Sequence, residues 1–84
     1  MNFFLIDADL ATLKQMKAML EEAGHSVDCC QSSLRALREI QLRQPDCVIT
    51  DIIMPEMDGF ELCWELRRLP SLAALKIIIC TSKA

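Results

Sequence analysis

Three polar residues, Asp7, Asp51 and Thr81, each stand immediately after a short apolar run, and their types suit chemistry on a phosphoryl group or a cation. Asp51 is the most telling. It closes the run Cys47-Val48-Ile49-Thr50-Asp51 and is followed at once by Ile52-Ile53-Met54-Pro55-Glu56-Met57-Asp58-Gly59, a stretch punctuated by Pro and Gly. A β-branched run that ends on a carboxylate ahead of such a loop delivers a reactive side chain to the edge of a sheet. Acidic residues at two neighbouring strand ends make an oxygen-rich site for a hard cation, Mg²⁺ or Mn²⁺. Phosphoryl transfer to a carboxylate needs an exposed nucleophile, a cation against the phosphoryl oxygens and hydrogen-bond donors for the remainder. Asp51 is the expected nucleophile, Asp7 the expected metal ligand and Thr81 the expected hydroxyl donor. The plainer alternative gives Asp51 and Asp7 only capping roles; the agreement of three strand ends favours the site.

The elements that must position these residues follow from periodicity and punctuation. Asn2 to Ile6 is a short apolar run without helical period, as in a buried strand. Asp9 is placed to cap a helix reaching about Ala23, with Leu13, Met16, Leu20 and Ala23 at helical spacing and Gly24 as its stop. Leu13, Met16 and Met19 read as core. Residues 25–30 predict a weaker edge strand. Ser32 or Ser33 caps a second helix carrying Leu34, Leu37 and Ile40, which ends before Pro45. The strand to Asp51 comes next. Asp58 followed three residues later by Glu61 predicts a capping box and a third helix, with Phe60, Leu62, Cys63, Leu66 and Leu69 on its apolar side. Leu75 to Cys80 is the last strand. The alternation β-α-β-α-β-α-β predicts an α/β fold with a parallel sheet and helices on both faces, whose functional crevice lies at the carboxyl ends of the strands.

Bulk properties narrow the function classes. Eighty-four residues make a single domain. A hydrophobic content of 52% is broken into runs far too short to span a bilayer, and no basic segment and cleavage site mark a signal peptide. A net charge of -3 argues against direct nucleic-acid binding. The five cysteines follow no zinc or thioredoxin-type spacing, and the adjacent pair Cys29-Cys30 has poor geometry for a mutual disulfide. Reduced thiols in a cytoplasmic protein are expected. His25, after Gly24, reads as a solvated turn residue. Trp64, between the core positions Cys63 and Leu66, is read either as an exposed interface anchor or as partly buried. Arg67 and Arg68 complement the dipole at the end of the third helix.

The residues Phe4-Leu5-Ile6-Asp7, Pro45-Asp46-Cys47-Val48-Ile49-Thr50-Asp51, Met54-Pro55-Glu56-Met57-Asp58-Gly59 and Ile77-Ile78-Ile79-Cys80-Thr81-Ser82 resemble the receiver domains of bacterial two-component response regulators. The resemblance runs over the whole chain, and the segment around Asp51 is its most specific part. It implies a flavodoxin-like, doubly wound parallel sheet with strand order 2-1-3-4 and three helices. It further implies that Asp51 is phosphorylated by a histidine kinase or phosphotransfer protein. Thr81 is then the switch hydroxyl that turns to the phosphoryl group. On the same resemblance Asp7, Asp51 and the backbone carbonyl of Ile53 are the expected ligands of Mg²⁺, and Asp9, one residue past Ala8, is a further candidate by a shifted route.

Three departures from the family pattern carry expectations of their own. Receivers normally have two adjacent acidic residues after the first strand; this chain has Asp7 and Ala8, which predicts weakened Mg²⁺ binding and impaired phosphorylation. The family's lysine at the end of a fifth strand has no good counterpart, since Lys83 lies only two residues past Thr81. A fourth helix, fifth strand and fifth helix are absent, so residues 1–84 are expected to be a truncated receiver domain. The exposed apolar edge of the fourth strand then predicts self-association. Two other readings compete. One is a degenerate, non-catalytic receiver that serves as an interaction or oligomerisation module. The other rests on Asp7-Ala8-Asp9 and Cys80-Thr81, which also resemble motifs of haloacid-dehalogenase-like phosphohydrolases with Asp7 as nucleophile; the Met54–Gly59 segment has no place in that family.

Overall fold

A computed structural model describes residues 1–81. The chain forms β1 (Asn2–Ile6), α1 (Leu10–Glu22), β2 (Ser26–Cys30), α2 (Ser33–Arg43), β3 (Cys47–Asp51), α3 (Gly59–Arg67), a short 3₁₀ turn at Pro70–Leu72 and β4 (Lys76–Cys80). All strand pairs are parallel, in the order β2-β1-β3-β4. The expected alternation and strand order are both present. Among the described residues the 3₁₀ turn is the one addition: Pro70 supplies the fixed φ at its first position and Leu72 buries its side chain.

Each helix begins where its sequence supplies a cap. The Asp9 carboxylate accepts from the Ala11 amide at 3.1 Å, and the Ser32 hydroxyl accepts from the Arg35 amide at 3.2 Å. Asp58 and Glu61 form the reciprocal capping box, at 2.8 and 3.0 Å. Past α1, Gly24 takes the left-handed conformation, with φ +93°, that lets the chain turn back into β2.

Two apolar layers hold the sheet. On one face, α2 and α3 cover Phe4, Ile6 and Val48 with Ala36, Ile40, Leu62 and Leu66, and the loop residues Met54 and Met57 close this layer near Asp51. On the other face, α1 packs Leu13, with Met16 and Leu20, against Leu5 and Val27. Ile78 of β4 is level with Ile49 of β3 yet is 48% exposed, because α1 lies over β1 and β2.

Several side chains read as core point outward instead. Met19, Leu34 and Phe60 are all exposed. The true stripes are Leu13–Met16–Leu20 on α1, Ser33–Ala36–Ile40 on α2 and Gly59–Leu62–Leu66 on α3. Each misread residue is one position off its stripe, a rotation of about 100° at 3.6 residues per turn. Trp64 lies on the outer side with Phe60, and Arg68 stacks on its ring at 4.8 Å. His25 is not a freely solvated turn residue: it is half-buried, edge-on to Phe3, and its Nδ1 lies 3.1 Å from the amino terminus.

Candidate functional site

The parallel register brings the three polar strand ends to one edge of the sheet. Ile6 is level with Thr50, so Asp7 and Asp51 each follow that rung on adjacent strands. Asp51 is level with Cys80, and Thr81 follows directly on the third strand. Lys83 and Ser82 lie outside the described residues.

Asp51 is half-buried, and one carboxylate oxygen, Oδ1, accepts from the Ile52 amide at 2.9 Å. The Ile52 amide also donates to the Cys80 carbonyl at 2.9 Å, which ties the start of the loop to β4. The buried Thr50 hydroxyl donates to the Asp51 carbonyl at 3.0 Å. On the far side of the loop, the Gly59 amide donates to the Ile52 carbonyl at 2.8 Å. A Cβ on Gly59 would lie only 2.6 Å from the Asp51 carbonyl oxygen. Glycine is required here by space, since the start of α3 presses directly on the strand end that carries Asp51.

Asp7 is also half-buried; its amide donates to the Cys30 carbonyl at 3.2 Å, and its Oδ1 accepts from the Asp9 amide at 2.9 Å. Asp9 is engaged differently. Its Oδ1 caps the Ala11 amide and its Oδ2 accepts from the Thr12 hydroxyl at 2.8 Å, so both oxygens serve the first turn of α1. Ala8 between them is exposed, and its carbonyl accepts from the Gln31 side chain at 3.1 Å. Ile53 sits on the loop past Asp51 with its side chain 64% exposed.

This donor set bears directly on cation binding. Among the described residues, no group of three or more His, Cys, Asp or Glu side chains gathers to hold a metal ion. What the strand ends offer is two carboxylates and the backbone of the adjoining loop. Such a set fits Mg²⁺, which keeps much of its water and takes one or two carboxylates. It does not fit a softer metal that wants thiolate or imidazole.

Two residues at the start of α2 also take part, and the sequence singled them out only as caps. The Ser32 hydroxyl donates to Glu56 Oε1 at 2.6 Å, and the Ser33 hydroxyl accepts from the Met57 amide at 3.1 Å. No spacing rule links residues 24 apart across two elements.

Comparison with known proteins agrees with this geometry. The family model described as "Response regulator receiver domain" matches residues 3–84. A probable transcriptional regulator of Porphyra purpurea is 34% identical over 82 residues, which is 98% of this chain and 39% of that protein. The signal receiver domain of a histidine kinase from Syntrophus aciditrophicus superposes with a TM-score of 0.91 at 30% identity, over 99% of this chain and 63% of that one. The receiver domain of a sensor histidine kinase from Pseudomonas aeruginosa, solved with a magnesium ion in its active-site cleft, shares the fold (TM-score 0.91, 23% identity, 99% of this chain and 68% of that one). The chain thus spans less than two thirds of the first two relatives' lengths. No helix among the described residues is long and apolar enough to cross a membrane. With a sheet in the order β2-β1-β3-β4 and acidic residues at two adjacent strand ends, the chain belongs to the response regulator receiver domain family of two-component signalling.

Proposed function

We propose that this chain takes a phosphoryl group onto Asp51 from the phosphohistidine of a histidine kinase or phosphotransfer protein, in the cytoplasm, as a signalling module and not as an enzyme on a separate substrate. The observation that carries the reading is the shared rung Ile6–Thr50, which sets Asp7 beside Asp51 at the open end of the sheet. A carboxylate oxygen of Asp51 forms the new bond to phosphorus while the bond from phosphorus to the histidine nitrogen breaks, and that nitrogen keeps the electron pair. Asp7, the Asp51 carboxylate and the Ile53 carbonyl are the groups that would hold Mg²⁺. Bound there, the ion supplies positive charge against the phosphoryl oxygens. Thr81, on the third strand end, donates to a phosphoryl oxygen. Asp9 is left out of this set because both its oxygens cap α1.

Ala8 marks the weak point of the site. Where relatives of this type carry a second carboxylate, the chain has a methyl group, so the cation loses one anionic contact. Phosphorylation is accordingly slow and needs more Mg²⁺ than a receiver with both acids.

The test is direct. The chain is incubated with a small phosphodonor and Mg²⁺, and its intact mass is followed with Asp51→Asn as control. A slow, acid-labile gain of one phosphoryl group in the parent and none in the variant supports the proposal. No adduct at any Mg²⁺ concentration leaves the chain as an interaction module. An adduct lost in Asp7→Asn but kept in Asp51→Asn moves the nucleophile to Asp7.

A further inference from the structure

We propose that Ser33 and Glu56 are positioning residues that clamp the β3–α3 loop onto the start of α2, and so fix where Asp51 and the Ile53 carbonyl stand. The inference rests on the phosphoacceptor reading for its functional meaning, while the clamp itself is read from the contacts.

The loop over residues 52–58 is tied at its ends by backbone bonds, from Ile52 to Cys80 and from Gly59 to Ile52. Its second half is held differently. The Met57 amide donates to the Ser33 hydroxyl at 3.1 Å, and Glu56 Oε1 accepts from the Ser32 hydroxyl at 2.6 Å and the Leu34 amide at 3.4 Å. These bonds reach across to a different element, and Met54 and Met57 bury their side chains against the same layer.

Helix capping alone does not account for the arrangement. Ser32 already caps α2 through the Arg35 amide. Ser33 adds nothing to that cap and is 0% exposed, a costly place for a hydroxyl unless a buried partner needs it. Ser33 and Thr50 are the buried polar residues of the described chain, and both hydroxyls serve this segment: Thr50 holds the Asp51 carbonyl at its start and Ser33 the Met57 amide near its end. A loop fixed at those two points has little freedom left at Ile53.

The full chain is compared with Ser33→Ala, Glu56→Ala and Glu56→Gln by urea unfolding, by amide NMR without metal, and by Mg²⁺ titration of the same amide signals. Removing either clamp residue is expected to shift the Ile52 and Ile53 amide signals and weaken Mg²⁺ binding about 10-fold. Glu56→Gln keeps an acceptor oxygen and should stay close to the parent in both. A loss of Mg²⁺ binding that merely follows the unfolding midpoint, with Glu56→Gln no better than Glu56→Ala, would overturn the proposal. If Ser33→Ala does not fold, the Glu56 pair decides alone. A parent that never responds to Mg²⁺ removes the phosphoacceptor reading. The clamp is then judged on the metal-free spectra: changes at Asp51 to Ile53 sustain it, and changes confined to Glu56 and Met57 defeat it.

Discussion

The carbonyl oxygen of Asp51 and the position a Cβ would take on Gly59 are 2.6 Å apart, so the last residue of β3 and the first of α3 meet backbone to backbone. The next nearest atoms are the Ile52 Cα at 3.1 Å and the Ile79 Cγ2 at 3.2 Å, and the first two of the three are main chain. Gly59→Ala must therefore push α3 away from the strand end, although alanine is intrinsically the better helix residue. We expect a loss of about 1–3 kcal/mol in urea unfolding, the usual size for overpacking, and a lower yield of phosphorylated chain. An unchanged unfolding midpoint would show that the junction gives way freely.

Ala8→Asp restores a second carboxylate next to Asp7. The side chain at this position is exposed, and the contact to Gln31 runs through the backbone carbonyl, so the substitution leaves the local fold intact. Mg²⁺ affinity should rise on the order of 10-fold, since ligand charge and neighbouring groups set affinity at such sites. Calorimetric titration checks this; equal affinities in parent and variant would take the weakness of the site away from Ala8.

Ile78 and its neighbours on β4 form an open strand edge among the described residues, with an isoleucine half exposed on the sheet face that α1 leaves bare. Edges of this kind pair with other chains unless charge or proline blocks them. The chain should sediment as a mixture of monomer and larger species that shifts with concentration. Ile78→Lys should move it toward monomer. Sedimentation velocity showing monomer throughout the parent's concentration range would remove self-association from the properties of this chain.

Cys29 and Cys47 have thiols pushed above their ordinary pKa of 9.0, in both cases chiefly by burial, against the lowering effect of Lys17 and Lys76 respectively. The folded state thus keeps these protons to higher pH than the unfolded chain does. The stability this contributes is whole below about pH 9 and is lost as pH rises through the folded values. The chain has no tyrosine to titrate over the same range. Cys47 is the buried thiol of the two, so Cys47→Ala should flatten the fall of the urea midpoint between neutral and strongly alkaline pH. The Cys29 thiol, although exposed, should react slowly with alkylating agents at neutral pH and faster as pH rises. A parent midpoint that holds steady past pH 9 contradicts the coupling.

The strands, the order of elements and three helix starts are legible in the sequence because each rests on local chemistry. Asp9, Ser32 and Asp58 cap within three residues of themselves, and Gly24 and Pro45 punctuate in place. The outward positions of Phe60 and Leu34 are not legible, because neighbours on a helix differ by about 100° and several apolar residues compete for one stripe. His25 reads as a solvated turn from its neighbours, and only the fold brings Phe3 and the amino terminus against it. The strand-end acids were legible from type and position. The contacts of Ser33 and Glu56 were not, since they join α2 to a loop two elements away and leave no local pattern.

The order β2-β1-β3-β4 has one more consequence, for synthesis. β1 is both the earliest strand in the chain and an inner one, flanked by β2 and β3. As the polypeptide emerges, β2 finds β1 already made, β3 docks on the opposite side of β1, and β4 then adds to β3. Each strand after β1 finds a partner that has already been translated. The sheet can be laid down outward from its oldest member while the ribosome is still at work.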